Sequence, residues 1–139
     1  MKKKILVLCT GNSCRSQIAE GYLRHFAGEI AEIYSAGIET HGVNPRAVET
    51  MKEDGIDISK HTSNNVEEYL NIVFDYVITV CDNANEHCPV FPNKAKKFHQ
   101  NFPDPAKAKG TETEIKDEFH RVRDMIKAYC KQFVEDNLK

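Results

Sequence analysis

The stretch that most constrains this chain is Leu8-Cys9-Thr10-Gly11-Asn12-Ser13-Cys14-Arg15-Ser16. An apolar run, Ile5-Leu6-Val7-Leu8, delivers a cysteine into a small polar turn that closes on Arg15-Ser16, and a helical pattern follows. A strand running through such a turn into a helix N-terminus aims successive backbone N–H groups into one concavity, which suits a tetrahedral oxyanion. Gly11 can supply a positive φ, and Asn12 is among the few other residues that tolerate one. Arg15 adds a planar fork that binds two oxygens at once. Cys9 sits under this field, so its thiolate form is favoured. The Ser16 hydroxyl is placed to donate to that sulfur, to cap the helix, or both. Together, Thr10 to Ser16 read as an anion cradle built around a nucleophile. A buried structural cysteine is the plain alternative, but it gives no packing reason for an arginine six residues later. The rival phosphate loops are absent: no Lys-Ser/Thr follows a second glycine, and there is no G-x-G-x-x-G.

Spacing of this kind, Cys-x5-Arg-Ser after the first strand, resembles the low-molecular-weight tyrosine phosphatase family. Cys-Thr-Gly-Asn-Ser-Cys-Arg-Ser resembles more closely the phosphatase-like arsenate reductases that draw electrons from thioredoxin. The resemblance runs nearly end to end, through Tyr34 to Pro45, Ile56-Asp57-Ile58-Ser59, His61-Thr62-Ser63, Cys81 with Cys88-Pro89, Asp104-Pro105-Ala106 and Phe119 to Asp124. It implies an α/β fold: one domain over 1–139, a three-layer α/β/α sandwich with a four-stranded parallel sheet and the site at the carboxyl ends of the strands.

The rest of the chain agrees with that class. At 139 residues it is sized for one domain, and a net charge of −2 gives no footprint for nucleic acid. No segment approaches the ~20 apolar residues of a membrane span, and no signal-peptide core follows Met1-Lys2-Lys3-Lys4. Five cysteines, an odd and unevenly spaced set, read as reduced cytoplasmic thiols rather than a disulfide framework. A first helix is expected over Gln17 to Ala27 with Gly28 past its end, then a strand at Ile33 to Ala36. The loop Gly37 to Val43 should lie beside the cradle. Asn44-Pro45 opens a second helix that Gly55 stops. A short helix is expected near Val66 to Asn71, a strand at Asp75 to Val80 and an edge strand at Lys97 to His99. A last helix starts at the capping box Thr111-x-x-Glu114 and runs to about Asp136, with Ile115, Phe119, Val122, Ile126, Tyr129 and Phe133 facing the sheet.

Cys81 falls directly after the strongest strand, and Cys88 follows six residues later. A zinc site would want Cys-x(2–4)-Cys with further ligands at matched spacing, so no metal is assigned. The resemblance makes Cys81 and Cys88 a redox disulfide pair, which ordinary low-molecular-weight phosphatases lack. Cys14 lies in the cradle as an accessory, Cys130 reads as a small buried residue, and no histidine is assigned to catalysis. Phe102-Pro103-Asp104-Pro105 is a rigid turn, and the resemblance makes Asp104 the general acid, although relatives show Asp-Asp-Pro there. It also implies a cluster behind the cradle, Asn12, Glu20, Ser35, Thr62 and Ser63, which in some relatives surrounds a monovalent cation. Asn64 stands here in place of an Asp, removing a charge from that seat.

The resulting expectation is a monomeric enzyme that binds no cofactor. Cys9 attacks arsenate held by Arg15 and the loop amides, with phosphate or sulfate as analogues. Cys81 and Cys88 then pass a disulfide onward for reduction by thioredoxin. Two alternatives stand beside it: a tyrosine phosphatase acting through a Cys9 phosphoenzyme, and a non-enzymatic redox or anion sensor. If 82–87 form a helical turn, Cys81 and Cys88 stand too far apart to bond until it opens.

Overall fold

The computed structural model describes residues 2–89, 91 and 95–139. Its organising element is strand β1, Lys3–Cys9, in which every residue from Ile5 to Cys9 is buried. Successive strand side chains point to opposite faces, so a continuous buried run means that both faces of the strand are covered. It pairs in parallel with β2, Ala31–Gly37, and with β3, Tyr76–Thr79, and β3 pairs in parallel with the edge strand β4, Lys96–His99. The order β2-β1-β3-β4 puts the cysteine-bearing strand inside the sheet, with Cys9 level with Gly37 at its carboxyl end.

Helix α1, Arg15–Ala27, starts two residues earlier than expected, directly out of the cradle, with Cys14 as its N-cap. Gly28 follows it in a right-handed conformation, φ −61°, so the helix ends without the left-handed turn that a glycine suggests. Asn44 caps α2, Pro45–Glu53, by accepting from the Arg46 amide, and Gly55 turns the chain out at φ +78°. The expected short helix is a 3-10 turn, Val66–Tyr69. Strand β2 is longer than its apolar centre because it pairs with β1 at every position from Ala31 to Gly37.

Helix α4, Glu112–Asn137, opens with the expected capping box: Thr111 Oγ1 accepts from the Glu114 amide and the Glu114 carboxylate accepts from the Thr111 amide. Phe119, Val122, Ile126 and Phe133 of its stripe are buried, whereas Ile115 and Tyr129 are half-buried. Phe133 meets the rings of Tyr76 and Phe98 at 5.5 and 5.0 Å between centroids, docking α4 on the β3–β4 end of the sheet. The Cys130 sulfur lies 3.8 Å from the Ala19 carbonyl, where α4 crosses α1, and Arg123 Nη1 donates to the Thr50 carbonyl of α2. The helix whose N-terminus forms part of the cradle is thus clamped from behind.

Candidate active site

Five successive carbonyls, Cys9 to Ser13, are taken up by the surroundings. The amides of Ile38, Glu39, His41 and Asn44 donate to the carbonyls of Cys9, Thr10, Gly11 and Ser13, at 2.9 to 3.2 Å. Ser63 Oγ adds a bond to the Gly11 carbonyl, and Gln17 Nε2 takes the Asn12 carbonyl at 3.0 Å. Among the described residues, the amides from Gly11 to Cys14 have no loop or side-chain acceptor. Carbonyls fixed outward leave the N–H groups to the concavity, which is the arrangement an oxyanion needs. The positive φ falls on Asn12, at +49°, and not on Gly11. Gly11 serves close approach instead: a Cβ there would stand 2.6 Å from His41 Nδ1. A Cβ on Gly37 would run into the Glu39 and Thr10 carbonyls and the Asn12 amide.

The Cys9 sulfur lies 2.8 Å from Ser16 Oγ. Ser16 Oγ accepts from Asn12 Nδ2 at 2.7 Å and has no other acceptor among the described residues, so its hydroxyl proton points at the sulfur. Asn12 Nδ2 also donates to Ser35 Oγ at 3.0 Å, and Ser35 Oγ donates to Glu20 Oε1 at 2.5 Å. A buried hydrogen-bonded chain therefore runs from Glu20 to the Cys9 sulfur. Asn12 and Ser16 are fully buried and sit behind the cavity, bracing it with their side chains, whereas Thr10, Gly11, Ser13, Cys14 and Arg15 line it. Burial pushes the Cys14 thiol up to about 12, which keeps it out of thiolate chemistry near neutral pH.

Arg15 Nη1 donates to the Phe102 carbonyl at 3.0 Å, and Nη2 stands 3.7 Å from Asp104 Oδ2. Asp104 caps the 3-10 turn Pro105–Lys107, its Oδ1 accepting from the Ala106 amide at 3.0 Å. One carboxylate oxygen is thereby fixed while the other faces the guanidinium. The resulting cleft, about 280 Å³, holds Cys9, Arg15 and Asp104 together. His41, Ala106 and Lys107 complete its walls; His41 lies in the 37–43 loop placed beside the cradle and Ala106 in the Asp104-Pro105-Ala106 stretch, whereas Lys107 had no signal in the sequence. No aromatic ring of Phe, Tyr or Trp lines it among the described residues.

Cys81 stands two residues past the end of β3, is buried, and lies 3.4 Å from Thr10 Oγ1 in the cradle. Its sulfur also caps the short helix α3, Asp82–Glu86, accepting from the Ala84 amide at 3.4 Å. Cys88, half-buried, lies beyond α3 and lines a different cavity with Lys97 and His99. Burial raises its thiol's pKa, opposed by the nearby Lys97 charge. All five thiols are free. The structure brings Cys81 to the cradle and leaves Cys88 outside it.

Of the polar residues expected behind the cradle, Glu20, Ser35 and Thr62 line a cavity of about 190 Å³, whereas Asn12 and Ser63 bond cradle atoms and do not line it. Glu20 is the one acid lining it among the described residues, and Arg24 Nε already pairs with it at 2.8 Å. Arg24 and Lys60 line the same space, and Asn12 Oδ1 is taken by the Asn64 amide at 2.8 Å. Residues with this charge balance do not fit a monovalent cation; the arginine supplies the positive charge.

Comparison with known proteins follows the same lines. The family described as low molecular weight phosphotyrosine protein phosphatase matches residues 4–139. A curated arsenate reductase of Halalkalibacterium halodurans is 51% identical over 134 residues, 96% of this chain and 96% of that one. A solved structure described as an arsenate reductase in the phosphate binding state has a TM-score of 0.78 at 29% identity, covering 96% of this chain and 98% of the other. Another, described as an arsenate reductase in oxidized state, reaches 0.81 at 29% identity, covering 98% of each. With its Cys-x5-Arg-Ser cradle, its parallel sheet and a match along nearly its whole length, the chain belongs to the low molecular weight phosphotyrosine protein phosphatase family, on its arsenate reductase branch.

Proposed function

We propose that this protein reduces arsenate to arsenite through a relay of three thiols. The observation that carries the reading is the second thiol: Cys81 is buried against Thr10, at the lip of the loop that holds Cys9. A phosphatase needs the cradle and the acid but has no use for a cysteine there.

Arsenate enters the cleft with its oxygens on the cradle amides and the Arg15 fork. The Cys9 thiolate attacks arsenic, and Asp104 protonates the departing oxygen, which leaves as water. The Cys81 thiolate then attacks the Cys9 sulfur. The sulfur–arsenic electron pair passes to arsenic, arsenite departs, and Cys9–Cys81 is left as a disulfide. Cys88 attacks Cys81, freeing Cys9 and forming Cys81–Cys88 for an external dithiol to reduce. Thioredoxin is the donor this reading assigns. Electrons flow from thiols alone, so the cycle requires no bound organic cofactor. Because α3 stands between Cys81 and Cys88, the last transfer requires that helix to open.

No described helix is long and apolar enough to cross a membrane. The reading places the protein in the cytoplasm as a single-domain monomer, where dithiol systems keep its cysteines reduced.

The cleft without aromatic walls favours a small inorganic oxyanion over a phosphotyrosine side chain, whose ring would want apolar contact. The deciding assay offers pre-reduced protein either arsenate or p-nitrophenyl phosphate. The expected result is one arsenite per protein without reductant, continuous turnover with thioredoxin and its reductase, and slow ester hydrolysis. Fast ester hydrolysis with no arsenite would make it a phosphatase. Disulfide formation with neither product would make it a sensor.

A further inference from the structure

Polar contacts, and little apolar burial, hold α3 in place. Of its five residues only Ala84 is buried. Its first turn is tied down from two sides. On one, Asn83 Nδ2 donates to Thr10 Oγ1 at 3.0 Å. On the other, His99 Nε2 meets Asp82 Oδ1 at 2.8 Å, and the Asp82 amide donates to Asn101 Oδ1 at 3.1 Å.

His99 is itself fixed. Its Nδ1 meets Thr79 Oγ1 at 2.7 Å. The Thr79 hydroxyl also lies 3.4 Å from the Phe98 carbonyl, but Nδ1 at 2.7 Å is the nearer acceptor; with the hydroxyl donating to Nδ1, the neutral ring carries its proton on Nε2, where the Asp82 carboxylate accepts it. One imidazole on the edge strand β4 thus joins the end of β3 to the start of α3. Asp82 and His99 side chains are 69% and 31% exposed, so the pair contributes little by charge alone. What it supplies is a fixed anchor for a helix that lacks a core.

The geometry points to His99 as a positioning residue of the relay: spanning Thr79 and Asp82, it holds the first turn of α3 shut and limits how readily Cys88 reaches Cys81. The inference rests on the relay reading above.

The contacts also order the steps. The Cys81 sulfur caps α3 in the reduced protein and must leave the Ala84 amide to bond Cys9. The first disulfide therefore removes a cap from the helix, a loss that destabilises short helices. From then on α3 depends on the Asp82 and Asn83 ties. Releasing Asp82 from His99 opens the segment beside the cavity of about 260 Å³ that His99, Thr79, Lys97 and Cys88 line. The His99 tie thus acts after arsenite has gone and before the disulfide moves on.

The test compares His99→Ala, Asp82→Ala, the double variant and His99→Gln. Amide exchange is measured on the reduced protein without arsenate, and disulfides are mapped over time after one turnover. Each alanine variant should raise exchange across 84–87 by about fivefold, the effect of losing one hydrogen bond. The double variant should add nothing further, since both remove the same contact. His99→Gln, whose amide can donate to Asp82 and accept from Thr79, should restore protection. Conversion of Cys9–Cys81 to Cys81–Cys88 should quicken about fivefold in the alanine variants, relative to arsenite release. Unchanged exchange in α3, additive effects, or loss of protection confined to β4 would overturn the assignment of His99 and leave the relay standing. A wild-type protein that forms no arsenite would overturn the relay itself, and the role of His99 in it, whatever the exchange shows.

Discussion

The two thiol sites of this protein are held by opposite means. Around Cys9, five carbonyls are bonded outward, a buried chain from Glu20 ends on Ser16, and α1 is clamped by α4. Around Cys81 and Cys88, five helical residues hang on exposed side-chain contacts, with Ala84 alone buried. Binding and activating a tetrahedral anion gains from groups that need not reorganise. Passing a disulfide between cysteines on either side of a helix needs a segment that opens at small cost. On the relay reading, the carboxyl end of the sheet carries both, because β1 ends on Cys9 and Cys81 follows two residues after its neighbour β3.

The widest contrast is expected from Arg15→Lys. A point charge cannot reproduce the two-oxygen fork, and losing one preorganised donor typically costs ~10²–10³ in rate. Single-turnover arsenite release should fall by that factor, while transfer between Cys81 and Cys88 in a pre-formed Cys9–Cys81 protein should not. Equal loss in both steps would mean the sites are mechanically one. Cys88→Ser divides them the other way. It should still release one arsenite per protein and then stop, with Cys9–Cys81 accumulating in peptide maps. Cys9 bonded to Cys14 with Cys81 free would show that the relay begins elsewhere.

The smallest expected effect is on stability and concerns the bracing of the cradle. His61 Nδ1 meets Gln17 Oε1 at 3.0 Å, and Gln17 Nε2 in turn holds the Asn12 carbonyl. Burial lowers the pKa of His61 below its ordinary 6.5, despite the Glu20 carboxylate 3.6 Å away. A depressed folded value means the unfolded chain takes up the proton first. The associated stability is complete above about pH 6.5 and is lost as pH falls through the folded value. Thermal midpoints measured between pH 7 and 5 should fall by a few degrees, and fall less in His61→Gln. An identical pH slope in both proteins would show that His61 takes no part in the bracing.

The cradle was legible because its chemistry is local: Cys9, Arg15 and Ser16 lie within one turn of chain, and few other purposes place an arginine there. The long helix was legible for the same reason, its start written in Thr111 and Glu114. What the sequence hid were partners set by tertiary contact. It allowed either Gly11 or Asn12 the positive φ; Asn12 takes it, and Gly11 is required instead by the His41 ring that stands where its side chain would go. Lys107 reaches the cleft wall only because the 3-10 turn after Asp104 brings it there. Glu20 and Arg24 stand four apart on α1 and can pair within the helix, but the bond from Arg24 Nη2 to the Ile33 carbonyl at 2.8 Å exists only because α1 lies against β2. Nor did the chain announce that His99 faces Asp82 across two elements.

Gly37 gives the last lesson. It offers no side chain to any reaction, yet two carbonyls and an amide of neighbouring turns crowd the volume a methyl group would fill. The shape of the anion seat is therefore stored partly in an empty place on the adjoining strand, like the relief cut in a mould. A survey for functional residues that ranks side chains by reactivity passes over such a position. One that asks where the backbone tolerates no addition finds it beside Cys9.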